Sequence, residues 1–579
     1  IWQDGIDTDR VVWHGRFVVV CLGVFLGALM AAWTWALTRH LPATAVVLAL
    51  FAFSPNLLAA GSLVTTDMAA TATWFAAVYA WWRYWRRPGR RLWLVAAGCL
   101  GLALAAKLTG VLLLPITFAL AYVGSRVRLW PPNRSWARPA LVWAGMLPLA
   151  ALLLWALYGF DWRGWLPLPA YVDAWALLLR EVDIGHANFF MGQVLSQGSW
   201  LYFPATLLLK TPLPALALWL AGLAALLPRR RSAGHAVSGS GPSPVRPPSW
   251  RDLAFLVLPA ALFLAVAVAS RLNFGYRHLL PAVPFLTLLG GLAVARLWPL
   301  PAGEPPLSPA HPRFTSRRSA GRLLVAVALV WSVAAVLRTH PDYLAYFNEL
   351  ARGRGHLYLG DSNLDWGQDL NQIAAYARAY EAETGQRLLY SYAGNADPAH
   401  YGLTQPSITV EVDAGRSDFA PANPAAGRYA INASDLQGVG LVLGVLKEIE
   451  LYDWFRRREP LATLGGSVFV YDVAAQTPGE WVAHCAAPGR LLADAEAERL
   501  VGRAGLRHVT FDCQSSWVFP GETPGWYVLP PGETWIEEWA GANGPEVVYR
   551  HRANAYGPDY AIAYWPGGEP FLCPKGIDS

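Results

Sequence analysis

Between residues 16 and 338 the chain alternates long apolar runs with short polar ones. The runs last about 17 to 28 residues, enough helix to cross roughly 30 Å of hydrocarbon. Ten spans can be drawn, at 16–38, 42–60, 67–84, 92–106, 108–125, 139–159, 201–228, 252–270, 278–297 and 321–338. Glycine, serine and alanine recur inside them, the small residues through which lipid-buried helices pack closely. After residue 339 the pattern changes. LNQIAAYARAYEAE (370–383) has helical spacing, RLLYSYAG (387–394) and VFVYDVA (468–474) read as strands, and EAERLVGRAG (496–505) reads as a helix. HVTFDCQSS, GWYVLPPGETWIEEWA and YAIAYW are extended in character. The pattern predicts a mainly α protein with a polytopic membrane helical domain over 1–339. An α/β domain over 340–480 and a small strand-rich domain over 481–579 follow it.

Composition agrees with a membrane protein. Of the 579 residues 54% are hydrophobic and 15% charged, against about 25% charged in an ordinary soluble chain. The net charge of +6 comes almost wholly from arginine, and its placement sets orientation rather than signalling nucleic acid. RYWRRPGRR (83–91) holds five arginines, SRVRLWPPNRSWAR (125–138) four and the loop 228–251 five, none with an acid. Segment 296–322 is also basic, with Glu304 as its one acid. All four fall on one side of the ten-span count, the cytoplasmic side by the positive-inside rule. The opposite side receives Asp67, the acid-bearing segment 160–200, the loop 270–278 and everything after 339. The Gly/Ser/Pro-rich interior of 229–250 reads as a linker.

Five cysteines are scattered without a CxxC pair, which argues against a zinc-thiolate site. Cys485 and Cys513 can pair if their region lies in an oxidising compartment, or remain two free thiols. The chain opens IWQDGIDTDR, with neither an initiator methionine nor a signal-peptide pattern. That predicts a true beginning further upstream.

Several polar residues stand out against this background. In GSLVTTD, Asp67 lies at the outer mouth, where one span ends and the next begins. It can cap the new helix, as can Thr65 or Thr66. It can also position an acceptor or a cation, because carboxylates at membrane depth are costly unless used. Lys107 is one of four lysines in the chain and lies between two spans. It either snorkels to the interface or meets phosphate as a point charge. In NFGYRHLLP (273–281), Arg277 and His278 stand beside Tyr276 on the outer side. There arginine offers a bidentate grip on phosphate or an interface anchor. His186 and Gln193 precede the seventh span, and Lys210 lies about ten residues inside it, deep enough to need a partner. In GDSNLDWGQDL, Asp361, Asp365 and Asp369 recur every fourth residue around Trp366 and Gln368. This is a loop-borne acidic group entering a helix near Asp369, without the Gly and Glu of a calcium loop. No Walker motif, GxSxG elbow or HExxH occurs.

SPNLLAAGSLVTTD, GLALAAKLTGVLLLP, FGYRHLLPAVPFL and YLAYFNELARGRGHLYLGDSNLDWGQDL together resemble the bacterial branch of the protein O-mannosyltransferase-like family. These are multi-span glycosyltransferases of the GT-C type that use polyprenyl-phosphate-linked sugars. The resemblance covers roughly 14 to 475, DSNLDWGQDL being its most specific element. It implies inverting transfer from a polyprenyl-phosphate sugar to a hydroxyl of a protein, lipid or glycan, at the outer face of the bacterial inner membrane. The region after the last span is then periplasmic. In that family a carboxylate in the first outer loop acts as base and an acid in the next outer loop assists. Asp67 occupies the second position. IWQDGIDTDRVVWHG matches a remnant of the first loop, in which Asp4, Asp7 and Asp9 do not match the base, so the fragment as it stands is expected to lack it. Arg277, Lys107 and His278 are implied as donor-phosphate ligands. His186, Gln193, Lys210, Tyr276, Asp361, Asp365, Trp366, Gln368 and Asp369 are, by their own placement, candidates for a donor or acceptor site. Members of the broad fold differ in using a divalent cation, and the sequence leaves that open.

Two other classes compete. A secondary transporter or lipid flippase suits many spans and buried charge, and predicts an internal repeat with broken helices in matching places. A non-catalytic membrane scaffold suits a natively short chain.

Overall fold

The structure, a computed structural model, describes residues 7–125, 137–195, 197–226, 248–298, 316–438, 450–487, 489–516, 518, 522–531, 544–553 and 557–568. Most of the arginine-rich loops 125–138, 228–251 and 296–322 thus lie outside the described residues. The chain divides into two units, Ile1–Asn188 with Leu195–Gly355, and Phe189–Val194 with His356–Ser579.

The first unit is helical. Its elements are α1 (Thr8–Thr38), α2 (Leu41–Ala52), α3 (Pro55–Ser62), α4 (Thr66–Arg86), α5 (Arg90–Ala106), α6 (Leu113–Ser125), α7 (Ala137–Ala144), α8 (Met146–Leu157) and α9 (Pro169–Ile184). Then follow α10 (Tyr202–Lys210), α11 (Leu213–Ala224), α12 (Trp250–Ala269), α13 (Val283–Leu297) and α14 (Ser316–Thr339). Short 3-10 turns, Leu108–Leu112 and Tyr276–Ala282, lead into α6 and α13. Between α8 and α9 runs a two-residue ladder, β1 (Trp162–Arg163) with β2 (Leu166–Pro167).

All ten apolar runs are helical, but the expected ten straight spans need correcting. Among the described residues six helices are long and apolar enough to cross a membrane, or eight if each of two bent pairs counts as one. α4 and α5 do not reach that standard. α5 has 17 residues, and α4 is rich in Trp and Tyr because it faces protein: Trp74, Phe75 and Trp81 are fully buried. A helix surrounded by other helices does not need a lipid-like surface. The pair α2–α3 bends by 56°, and α10–α11 by 115°. Pro212 sits in the second bend and Pro214 in the first turn of α11, where a missing N–H and a fixed φ keep α10 from continuing. The expected straight span 201–228 is therefore two helices, and Lys210 lies at their break rather than mid-span.

The unit's two ends differ chemically. At one, Asp252 at the start of α12 accepts from Trp82 Nε1 (2.9 Å) and meets Arg86 Nε at 3.5 Å. Ser249 and Asp252 form a capping box there. The start of α4, the end of α5 and the turn before α13 form the other end, which carries the candidate site. Helix direction thus separates the 83–91 arginine loop from Asp67, Lys107 and Arg277, as the alternation of spans requires.

The second unit holds two sheets. Helix α15 (Leu370–Thr384) covers a four-stranded sheet ordered β5-β6-β8-β7, from β5 (Leu389–Tyr390), β6 (Gly427–Asn432), β7 (Ala462–Leu464) and β8 (Val468–Val473). Leu370, Ile373 and Ala374 pack with Tyr390, Ala430, Val468 and Val470. A five-stranded sheet follows, ordered β10-β9-β11-β13-β12. Its strands are β9 (Trp481–Cys485), β10 (Arg507–Phe511), β11 (Gly525–Leu529), β12 (Glu546–His551) and β13 (Tyr560–Trp565). β9 runs parallel to β10 and β11, while β13 is antiparallel to β11 and β12. Cys485 and Cys513 form a disulfide across its core. The hairpin β3 (Asn188–Phe190) with β4 (Gln193–Leu195) spans the chain cut between the units.

Candidate active site

α4 starts where α3 stops. Thr65 is its N-cap, and the Thr65 hydroxyl accepts from the Asp67 N–H at 3.5 Å. The capping role open to Asp67 therefore falls to Thr65. Asp67 sits in the first turn, where the helix dipole favours a negative charge, and is buried at 4% exposure. Lys107 ends α5 in an extended conformation, φ −161° and ψ 145°. That break turns its side chain from the helix axis, and Lys107 Nζ donates to Asp67 Oδ1 at 2.6 Å. The following turn packs tightly against α5: a Cβ on Gly110 would run into the Ala103 carbonyl, so only glycine fits.

Arg277 reaches the same carboxylate from another direction, Nη1 lying 3.9 Å from Asp67 Oδ2. The Thr65 hydroxyl donates to that oxygen at 3.2 Å. Gly275 precedes the Arg277 turn at φ 97°, a region L side chains avoid. Arg277 also lies 5.9 Å from the centre of the Phe274 ring. Phe274 in turn packs against His278 and His186, at ring separations of 5.2 and 4.4 Å. The structure therefore brings together Asp67, Lys107, Arg277, His278 and His186. One negative and two positive groups leave the cluster with a net positive charge. Lys107 and Arg277 keep 22% and 27% of their side chains exposed, so both can meet a ligand.

A second polar group gathers at the α10–α11 break. Tyr276 and Thr211 share a hydroxyl–hydroxyl bond of 3.0 Å. Lys210 is buried, donates Nζ to Leu344 O at 2.7 Å and lies 4.6 Å from the Phe347 ring centre. The break frees carbonyls that lipid could not satisfy. Asn348 Nδ2 donates to Leu208 O (2.6 Å) and Thr211 O (2.8 Å), and Asn56 Nδ2 to Lys210 O (2.5 Å). These contacts give Lys210 and Tyr276 a role in holding the bend.

The remaining predicted residues belong to the second unit. Gln193 is exposed on the hairpin. Asp361 has φ 52° in a short turn, and the acidic loop runs into α15 immediately after Asp369. Asp369 accepts from the Ser467 hydroxyl at 2.5 Å and from Gln368 Nε2 at 3.2 Å. Asp365 accepts from Gly367 N (2.9 Å) and Ser434 N (3.4 Å). Burial pushes the Asp365 carboxyl above its usual range, against those hydrogen bonds. Trp366 N donates to Gln368 Oε1 at 2.7 Å, with the indole at the surface. Asp365, Gln368 and Asp369 thus fasten the loop to Ser467, just before β8, and to the short helix Ala433–Gln437. Sequence reading passed over Phe274, Thr211, Asn348 and Asn56, although all but Thr211 lie within the segments that carry the resemblance.

The helical unit defines a multi-pass membrane protein with a cationic, carboxylate-anchored site at one helix end. Residues 10–166 match the family model described as dolichyl-phosphate-mannose-protein mannosyltransferase. That match takes in SPNLLAAGSLVTTD and GLALAAKLTGVLLLP, two of the four segments that carry the resemblance, and supports a membrane glycosyltransferase. No curated protein matches the chain. Among solved structures it is similar to ArnT from Cupriavidus metallidurans bound to undecaprenyl phosphate. The two share 14% identity over 95% of this chain and 84% of that one, with a TM-score of 0.34. Another similar structure is the arabinofuranosyltransferase AftD from Mycobacteria, at 15% identity over 86% of this chain and 39% of that one, TM-score 0.30.

Proposed function

We propose that the protein transfers a sugar from a polyprenyl-phosphate donor to a hydroxyl-bearing acceptor, at the outer face of a bacterial inner membrane and with inversion. The observation that carries this reading is the buried Asp67 carboxylate holding Lys107 at 2.6 Å and Arg277 at 3.9 Å, both partly exposed. Asp67 acts here as a positioning residue, fixing two cations whose surplus charge meets the donor phosphate. The donor is a phosphodiester with one negative charge. As the glycosidic bond breaks, its electron pair stays with the phosphate oxygen, which becomes a monoester of greater negative charge. Fixed cations at that oxygen therefore stabilise the transition state more than the bound donor. The acceptor hydroxyl attacks from the opposite face of the sugar and loses its proton to a carboxylate base, which gives inversion. The disulfide Cys485–Cys513 supports an oxidising, extracytoplasmic location for the region after α14. The arginine-rich loops support the same orientation.

Arg277 tests the phosphate assignment. Arg277→Lys keeps the charge and loses the planar fork, so it should retain part of the affinity for polyprenyl phosphate. It should lose a larger share of turnover, about tenfold or more, with Arg277→Ala worse on both. Turnover with polyprenyl-phosphate mannose and glucose, and binding of polyprenyl phosphate, are measured on the same purified variants. Wild-type turnover in Arg277→Lys would reduce the residue to an interface anchor.

A further inference from the structure

The five-stranded sheet of the second unit contains a group of side chains that sugar transfer does not use. β9 and β10 are parallel neighbours joined by the helix Asp494–Val501, forming a βαβ unit. The register pairs His484 with Thr510 and Val482 with His508. His484 and His508 are therefore diagonal neighbours on one face of the sheet. Two residues of the crossover helix, Asp494 and Glu498, lie one turn apart on one side of it. His484 Nε2 and His508 Nδ1 approach to 2.9 Å. Asp494 Oδ1 lies 3.0 Å from His508 Nδ1 and 3.7 Å from His484 Nε2. Three electron-rich atoms, one from each element of the βαβ unit, converge on one point.

The geometry points to a divalent transition-metal site, zinc being the natural occupant, with His484 Nε2, His508 Nδ1 and Asp494 Oδ1 as ligands. Two imidazoles and a carboxylate are a zinc donor set, and no redox chemistry is needed of it. Zinc–ligand bonds of about 2.0–2.2 Å in a tetrahedron place ligand atoms roughly 3.3–3.6 Å apart. The observed edges of 2.9, 3.0 and 3.7 Å bracket that spacing. The surroundings fit as well. Glu498 Oε1 lies 3.4 Å from His508 Nε2 and also accepts from Leu506 N at 2.8 Å. A carboxylate there takes the Nε2–H and leaves the Nδ1 lone pair directed at the site, the arrangement by which metal-bound histidines are held. His484 is fully buried and Asp494 half-exposed, so the site opens to solvent on the helix side, where water completes the shell. Among the described residues no other group of three His, Cys, Asp or Glu side chains converges in this way.

Such a metal is a staple. His484 and Cys485 are successive strand residues and point to opposite faces. The disulfide to Cys513 ties the segment after β10 to β9 on one face, while the metal ties β9, β10 and the crossover helix on the other. Arg490 is the competitor: it pairs with the same Asp494 oxygen, and metal binding has to displace or share it. The proposal is independent of the sugar-transfer reading.

The test uses the full-length protein in detergent, stripped with a chelator and titrated with Zn2+ against a chromophoric competitor. His484 is buried, so its replacement confounds loss of a ligand with loss of the fold; Asp494→Asn is the informative variant. Wild type should bind one equivalent of Zn2+ that Asp494→Asn binds at least tenfold more weakly. Glu498→Gln should weaken it about 10–100-fold. Arg490→Ala should tighten it about two- to fivefold by removing an exposed competing charge. Zn2+ should raise the unfolding temperature of wild type and not that of Asp494→Asn. Superimposable isotherms for wild type and Asp494→Asn would overturn the proposal and leave a proton as the link between the two histidines.

Discussion

Asp67 and Lys107 allow a quantitative test because their environments differ. At 2.6 Å two unit charges attract by about 6 kcal/mol at an effective dielectric constant near 20. Desolvation offsets much of that, and breaking a buried pair by removing one partner costs about 3–5 kcal/mol. The two partners do not share this cost equally. Asp67 keeps 4% of its side chain exposed and Lys107 22%. Lys107→Met strands a buried carboxylate with the Thr65 hydroxyl and the weaker 3.9 Å contact to Arg277 as its remaining partners. It should destabilise the protein by about 2–4 kcal/mol. Asp67→Asn strands an ammonium that can turn towards water, at about 1–2 kcal/mol. In the double variant neither charge remains, and its cost should fall below the sum of the singles by about 2 kcal/mol.

The assay is unfolding of the purified protein in detergent for wild type and the three variants, followed by tryptophan fluorescence, with sugar transfer measured alongside. The double variant should lose less stability than the two singles together, while transfer should stay lost in all three. That split separates a structural ion pair from a site that needs its charges. Equal costs for the two singles, or strict additivity, would refute the burial argument. Near-normal transfer by Asp67→Asn would refute the functional one.

Asp435 provides a pH test in the second unit. Burial, aided by the nearby Asp365 charge and opposed by the Thr409 hydroxyl, raises its carboxyl from 3.8 to about 6. Between those values the folded state binds the extra proton, so stability should fall as pH rises from about 4 to 6, by about 2–3 kcal/mol. Asp435→Asn should flatten that slope in denaturant titrations across the window, and an unchanged slope would remove Asp435 as its cause. Orientation is tested by cysteine labelling. A cysteine at Ser240 should react only after the membrane is permeabilised, and ready labelling from the periplasmic side would invert the topology.

The helical architecture was legible because lipid imposes a length on apolar runs and because arginine marks one side. Where the expectation failed, the signal was present but outweighed. KTPLP at 210–214 announces a broken helix through its two prolines, yet the apolar residues around it read as one span. α4 reads as a span although it is largely enclosed by protein, since hydropathy does not distinguish lipid from neighbouring helices. Asp67, Lys107 and Arg277 each stood out as a charge in the wrong solvent. Their meeting did not, because residues 67, 107 and 277 share no helix face and their contact depends on how α4, α5 and the Arg277 turn pack. His484 and His508 were invisible for a related reason. Their proximity follows from β9 and β10 being parallel neighbours, and nothing local in either strand names its partner. β12 also escaped notice: EVVYRH has only a short apolar centre between charged ends.

The polar residues of the helical unit share one feature that explains both their placement and their use. Asp67 follows the break between α3 and α4, Lys107 ends α5 in extended backbone, Arg277 follows Gly275 at φ 97°, and Lys210 precedes the α10–α11 bend. A continuous helix in a membrane satisfies its own backbone and presents side chains outward to lipid or neighbours. An interrupted one exposes amides and carbonyls that need partners, and it can aim a side chain along the bundle rather than away from it. At the α10–α11 break Asn56 and Asn348 supply those partners and the bend is closed. At the Asp67 end the interruptions supply charge instead, with one carboxylate among two cations that remain partly exposed. The surplus positive charge there runs against the arginine rule that orders the rest of the chain. Orientation does not require it. The anionic headgroup of the proposed donor does.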